Sequence, residues 1–353
     1  MKLDPLCPND MSDALALLNP WQRDFPLVRE PYAVLAQQVG RPCSEVLELL
    51  ADLRERGALS RIGGVFNARA GGAALLSAMA VSPERLHEVA AIVSAHPGVN
   101  HNYEREDRFN LWFVMTACDE AALEQAMRGL ERATGLQALR LRMVRPYRID
   151  LGFDMDMQQR TAGAPAPQRE HKSAPPVASE DRALAALVEE GLPLVERPFD
   201  RWAETLGCAP QTVLDKLQDW LDAGTLRRMG AIVRHHEFGF DANAMTVFNV
   251  PDEQVDERGM RLAQEAGVTL AYRRERASTW PYNLYCMVHG TDREAAQAVI
   301  ARVIANCGLA EFPHRVLFSR QRFKQTGARR FRALPSEWNE TDASTVRGSH
   351  AVA

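Results

Sequence analysis

Residues 25–32 read FPLVREPY and residues 192–199 read LPLVERPF. The strings stand 192 − 25 = 167 residues apart and match at Pro26/Pro193, Leu27/Leu194, Val28/Val195 and Pro31/Pro198. The same offset carries GALSRIGGVFN (57–67) onto GTLRRMGAIVR (224–234) without a gap, so Gly57, Leu59, Arg61 and Gly63 meet Gly224, Leu226, Arg228 and Gly230. Further on it drifts by a few residues: PGVNHNYER (97–105) faces AGVTLAYRR (266–274), and NLWFVM (110–115) faces NLYCMV (283–288). Short loop insertions produce such drift. Self-similarity of this length marks an internal duplication, so the chain reads as a pseudo-dimer in one polypeptide.

The halves fall at 1–155 and 181–334. Between them, residues 156–180 are rich in Pro, Ala, Gly, Ser and charge, as in QQRTAGAPAPQREHKSAPPVASE, which is linker composition. From Pro335 onward the chain is polar and without period, as expected of a mobile tail. With 353 residues, 46% of them hydrophobic, each half is long enough to bury its own core. The six cysteines show no metal-ligand spacing and follow no N-terminal apolar segment, which points to a reduced, cytoplasmic protein. No apolar run reaches the roughly 18 residues of a membrane span.

Within copy one, PYAVLAQQV (31–39) predicts a helix, residues 40–42 a turn, and residues 44–56 a second, amphipathic helix with Ser44 as N-cap and Gly57 as stop. Val46, Leu47, Leu50 and Leu53 recur at helical spacing, and the following LSRIGGVFNA alternates like a wing hairpin. A winged helix-turn-helix is therefore expected over about 11–70, and its twin over about 181–237. Beyond it, strands near 75–82, 99–106, 110–117 and 138–149 and helices near 83–96 and 119–133 follow the order βαββαβ, which is ferredoxin-like. Strands near 243–250, 268–275, 283–289 and 313–323, with helices near 253–265 and 291–306, repeat it. The fold class is α+β, with ferredoxin-like domains at about 71–155 and 238–334.

That order resembles the Lrp/AsnC transcription regulators, which makes DNA binding the first function to weigh. A recognition helix has to neutralise phosphates. Here the second helix of copy one carries Glu45, Glu48, Asp52 and Glu55 against Arg54 and Arg56, and copy two carries Asp215, Asp219 and Asp222 against Lys216. Both are net acidic, and the whole chain has a formal charge of −4, so no DNA partner is expected. Basic residues gather elsewhere, at Arg61, Arg69, Arg227, Arg228, Arg234, Arg273, Arg274 and Arg276. Guanidinium forks suit carboxylates, and a small polycarboxylate would use them. Pairing with the acidic helices is the plainer explanation for any one of them.

Four strings together resemble the siroheme decarboxylases of heme d1 and alternative heme biosynthesis: VNHNYER (99–105), FNLWFV (109–114), RRMGAIVRHHEFGFDANAM (227–245) and WPYNLYCMVHG (280–290). The first two are similar to the D-type half of that family and the last two to the L-type half, which fused members carry in one chain. The resemblance implies loss of CO₂ from the C12 and C18 acetates of siroheme, giving 12,18-didecarboxysiroheme. It implies no cofactor beyond the substrate's own iron and no protein-only metal site. It leaves room for homologous G-type and H-type subunits, or a second copy of the chain, as partners.

Such a reaction needs a general acid, for which histidine is suited, and cationic or phenolic donors that orient the other carboxylates. Strand alternation places His101, Tyr103 and Arg105 on one face, and His101 is the expected proton donor. His235 and His236, where copy one has Ala68 and Arg69, are the other asymmetric pair, with His235 the second expected acid. Any of these histidines could ligate the substrate iron. Copy two keeps Tyr272 and Arg274 but has Leu270 at the His101 position. Met245, Met287, Trp280 and Tyr282 suit the flat apolar walls a macrocycle requires. Arg61, Arg228, Arg234, Arg273, Arg276, Arg148, Arg322 and Lys324 are candidate carboxylate partners. His87, His96 and His171 read as ordinary surface, and His289 as a satisfied core residue.

Overall fold

The computed structural model describes residues 17–67, 69–149, 174–233 and 242–334. They divide into two compact units, one drawn from Met1–Gly71 and Leu151–Gly239, the other from Gly72–Asp150 and Phe240–Ala353. Each unit takes its residues from both copies.

In the first unit, copy one supplies α1 (Pro31–Val39), α2 (Cys43–Glu55) and β1 (Leu59–Phe66). Copy two supplies α5 (Arg182–Glu190), α6 (Pro198–Leu206), α7 (Pro210–Asp222) and β6 (Leu226–Val233). The repeated prolines sit at the first helical position, where a missing N–H costs nothing. Both α1 and α6 stop at a glycine in the left-handed region, Gly40 at φ 67° and Gly207 at φ 66°, and this makes the turn of each helix-turn-helix. Helix α2 begins one residue earlier than the sequence suggested. Pro42, held at φ −59°, is its N-cap, and Ser44 lies inside the helix rather than capping it.

Among the described residues of this unit the expected wing hairpin is not formed. Strand β1 pairs antiparallel with β6 of the other copy, with Gly63 opposite Gly230, Leu59 opposite Val233 and Phe66 opposite Leu226. Past β1 the described residues add no further strand to this sheet, and the Ala70 carbonyl accepts from the Val177 N–H at 2.7 Å. A strand with no hairpin partner exposes an unpaired edge, and the repeated strand supplies a matching one.

The second unit holds eight strands in a closed barrel. Copy one gives β2 (Ala73–Met79), α3 (Leu86–Ala95), β3 (Val99–Arg105), β4 (Leu111–Ala117), α4 (Glu120–Thr134) and β5 (Leu141–Ile149). Copy two gives β7 (Ala242–Phe248), α8 (Val255–Gln264), β8 (Val268–Arg274), β9 (Leu284–Gly290), α9 (Arg293–Asn306) and β10 (His314–Gln325). Around the barrel the order is β10-β3-β4-β2-β5-β8-β9-β7, so each copy contributes four neighbouring strands. These are not two separate open sheets. The last strand of each copy crosses to the second strand of the other, β5 onto β8 and β10 onto β3, and both edges vanish.

Alternation then gives every strand an outer and an inner face. Outward residues form two helix-covered cores, one with Leu75, Phe113, Val93 and Leu130, the other with Phe248, Cys286, Leu262 and Ile300. Inward residues make a third cluster in the lumen, including Leu76, Trp112, Leu141, Met245, Tyr272, Tyr285, Met287 and Leu317. Asn110 and Asn283 hold the β3–β4 and β8–β9 hairpins by matching clamps. Asn110 exchanges two 2.9 Å hydrogen bonds with the backbone of Val81, and Asn283 accepts at 3.0 Å and donates at 2.9 Å to that of Val250.

Candidate active site in the barrel lumen

Strand β3 carries the site's polar face. His101 stands opposite Val114 and Tyr103 opposite Trp112 on β4, and both partners belong to or pack against the lumen cluster. Directly paired residues point the same way, so His101 and Tyr103 face the lumen, their rings stacked at 6.4 Å and 15°. Asn102, between them, points outward and donates to the Ala90 carbonyl and Ser94 Oγ of α3, both at 3.0 Å. On the other flank the β10 register sets Gln325 across from His101 and Arg322 across from Tyr103, with Arg322 Nη1 donating to Gln325 Oε1 at 3.2 Å.

Arg105 and Arg274 occupy equivalent lumen positions. Arg105 lies 5.6 Å over the Tyr103 ring and donates to the Leu317 carbonyl at 3.0 Å; Arg274 lies 4.5 Å over Tyr272 and donates to the Leu141 carbonyl at 2.7 Å. Burial pulls the Arg105 guanidinium down to about 10, opposed by the nearby Tyr103 and Tyr272 phenols. Each arginine ties its own copy to the last strand of the other.

Beyond the arginines the barrel is closed by aromatic rings. Trp280 touches Phe109, Trp112 and Tyr282 at 5.7, 5.2 and 4.8 Å, and its Nε1 donates to Tyr285 Oη at 2.9 Å. Met245 and Met287 face each other across β7 and β9 on the lumen side. The expected wall residues Met245, Met287, Trp280 and Tyr282 are thus brought together. At the other end His101, Tyr103, Arg322 and Gln325 are only half-buried, so the lumen is accessible there.

Several expected residues lie elsewhere. Arg148 does not face the lumen: its guanidinium donates to the Ala263 and Glu265 carbonyls at 3.2 and 3.3 Å, at the end of α8. Lys324 likewise turns outward to the Ser94 and His96 carbonyls at 2.7 and 3.1 Å, at the end of α3. A cation at a helix C-terminus is stabilised by the exposed carbonyl dipoles, which is why both turn away from the lumen. Arg273 pairs with Asp252 at 2.8 Å, and Arg276 with the same carboxylate at 2.8 Å and the Val250 carbonyl at 2.7 Å. These two are paired within the barrel unit, with Asp252 and not with the acidic helices. Arg61 and Arg228 belong to the helix-turn-helix unit, where they donate to the carbonyls of Gly64 and Gln22. Arg234, His235 and His236, and His171, lie outside the described residues.

His96 is not surface but only 1% exposed, its Nδ1 accepting from the Gly98 N–H at 3.0 Å. Desolvation, with the Lys324 charge adding to it, lowers it to about 4. His87 is exposed and lies edge-on to Phe323. His289 is half-buried and bonded to Thr269 Oγ1 at 3.1 Å. Gln325 was missed from sequence, because only the register with β3 brings it to His101.

A helix-turn-helix unit and a strand unit, both built from duplicated sequence, define a tandem AsnC-like protein, and the family models agree. An AsnC-like ligand binding domain matches residues 69–148 and 237–324, and a siroheme decarboxylase NirDL-like HTH domain matches 15–59 and 181–227. The chain is 40% identical over 315 residues to the siroheme decarboxylase NirDL subunit of Paracoccus denitrificans, covering 89% of this chain and 96% of the relative. It is 33% identical over 320 residues to the siroheme decarboxylase of Hydrogenobacter thermophilus, covering 90% and 94%. A crystal structure of siroheme decarboxylase NirDL in complex with an iron-uroporphyrin III analogue superposes with a TM-score of 0.63 at 30% identity, over 98% of this chain and 100% of that one. The chain belongs to the siroheme decarboxylase NirDL family.

Proposed function

We propose that this chain, a carboxy-lyase by family, removes CO₂ from the C12 and C18 acetates of siroheme at the accessible end of its barrel. The observation that carries the placement is the lumen-facing set His101, Tyr103, Arg322 and Gln325, grouped on one seam beside apolar walls. An eight-stranded barrel leaves an interior only wide enough for side chains or one small ligand, and here the far end is filled by aromatic rings. The macrocycle therefore presents an edge to the His101 end rather than entering whole.

Breaking the bond between an acetate methylene and its carboxylate sends the electron pair into the pyrrole system, and the methylene carbon then takes a proton to become methyl. No electrons are gained or lost overall, so no cofactor beyond the substrate's own iron is invoked. His101 supplies that proton as general acid, and its stacked neighbour Tyr103 fixes the ring. Arg322 anchors a carboxylate that does not react; pairing the reacting one tightly would stabilise the ground state. Arg105 and Arg274 set the depth at which substrate carboxylates stop. His235, with Arg234 and His236, keeps the acid and anchoring roles the family resemblance implies.

Residues 1–155 are read as the D-type half and 181–334 as the L-type half. The acidic α2 and α7 argue against a DNA partner. Residence in the cytoplasm is in keeping with the cysteine usage, and no described helix is long and apolar enough to cross a membrane. Homologous subunits or a second copy of the chain are the expected protein partners. Anaerobic incubation with siroheme followed by mass spectrometry tests the reading: loss of two CO₂ is expected, and unchanged siroheme would overturn it. His101→Ala is expected to bind the tetrapyrrole but not turn it over.

A further inference from the structure

The duplication builds the accessible end of the lumen twice, and the two versions differ. On the β3–β10 seam, His101 stands across from Gln325 and Tyr103 across from Arg322. On the equivalent β5–β8 seam, Leu270 stands across from Ile149 and Tyr272 across from Pro146. Of these four positions only the tyrosine is common. His101, Gln325 and Arg322 are matched by Leu270, Ile149 and Pro146, so the strands pair without polar groups at those three places. Gln325 is the member that links the others, since it faces His101 in the register and accepts from Arg322 at 3.2 Å.

We propose that Gln325 is a positioning residue for the decarboxylation, holding the Arg322 guanidinium in fixed relation to the His101 imidazole. This rests on the reading of the β3–β10 seam as the reacting face. An arginine side chain has several free rotors, and a carboxylate anchored by an unrestrained guanidinium wanders relative to the proton donor. Misplacement by about 1 Å can cost on the order of 10²-fold in rate. A carboxamide three residues further along the same strand, bonded to the guanidinium, reduces that freedom without adding charge.

The test compares Gln325→Ile, which installs the residue type of the other seam, with Gln325→Glu in the full-length chain. Affinity for iron uroporphyrin III is read by absorbance titration, single-turnover loss of CO₂ from siroheme by mass spectrometry, and the pH profile of that rate follows. Gln325→Ile is expected to bind iron uroporphyrin III within about threefold of wild type while losing about 10- to 100-fold in rate. Gln325→Glu keeps an acceptor for Arg322, so it should recover most of the rate. Its carboxylate across from His101 should also move the limb set by that imidazole to higher pH. A Gln325→Ile rate within twofold of wild type would overturn the proposal. If that variant does not fold, Gln325→Glu decides alone, and an unmoved pH limb would overturn it. Should His101→Ala turn over at the wild-type rate, the reacting-face reading fails instead, whatever Gln325 does.

Discussion

Lys324 Nζ lies 2.7 Å from the carbonyl oxygen of Ser94, and it reaches there from the last strand of the opposite copy. Arg148 does the same in reverse, with its guanidinium on the carbonyls of Ala263 and Glu265. Each copy thus ends by capping the first barrel helix of the other, and the exchange of strands is fastened at both ends by a cation on a helix C-terminus.

Lys324→Met and Arg148→Met should each therefore cost stability rather than catalysis. Leaving those carbonyls without their donor is expected to destabilise by about 1–3 kcal/mol, read as a lower urea midpoint, while the turnover rate of folded protein stays within twofold. A large rate loss with an unchanged midpoint would return these residues to the substrate face.

Burial of neutral His96 sets an acid limit on the fold. Its folded pKa of about 4 lies below the ordinary 6.5, so between those values the unfolded chain binds the extra proton. Stability from this site is fully present above pH 6.5 and is lost as pH falls toward 4, by on the order of 3 kcal/mol in all. Denaturant titrations at pH 7 and pH 5 should show the fall, and His96→Asn should flatten it.

Arg273 belongs to the Asp252 network and not to the lumen. Arg273→Ala is expected to leave siroheme turnover within about threefold and stability within 1 kcal/mol, because partly exposed ion pairs are worth little. A tenfold rise in KM would contradict the placement.

In the helix-turn-helix unit, Gly230 has no room for a side chain. A Cβ there would meet the backbone of Trp21 and Gln22, and at Gly63, on the paired strand, it would meet the Val188 carbonyl at 2.8 Å. Gly230→Val is expected to cost about 3 kcal/mol, read as a lower urea midpoint of the folded protein.

The duplication, the bounds of the expected helices to within about three residues and the βαββαβ order were legible because each rests on local pattern: repeated Pro and Gly positions, helical spacing, alternation. The helix Arg182–Glu190 was not foreseen. Closure was not. LSRIGGVFNA alternates equally well in a hairpin and against a distant twin, and nothing local in HRVLFSRQRFKQ says that it pairs with β3 on one flank and β7 on the other. The site divides the same way. His101, Tyr103 and Arg105 share a face by strand period alone, so they could be found. Arg148 and Lys324 look like free cations until the helix ends they cap are in place. Gln325 has no signal of its own, since its meaning comes entirely from the residue opposite.

The pairing of β3 with β10 and of β5 with β8 has a consequence for how such a protein can change. A dimer of identical chains must write the same residue into both seams, so a histidine gained in one appears in the other, wanted or not. Here the two seams are encoded at different places in one gene. Each can drift toward its own chemistry without asking permission of its twin, and an acid can arise beside one face of a planar substrate while the opposite face stays inert.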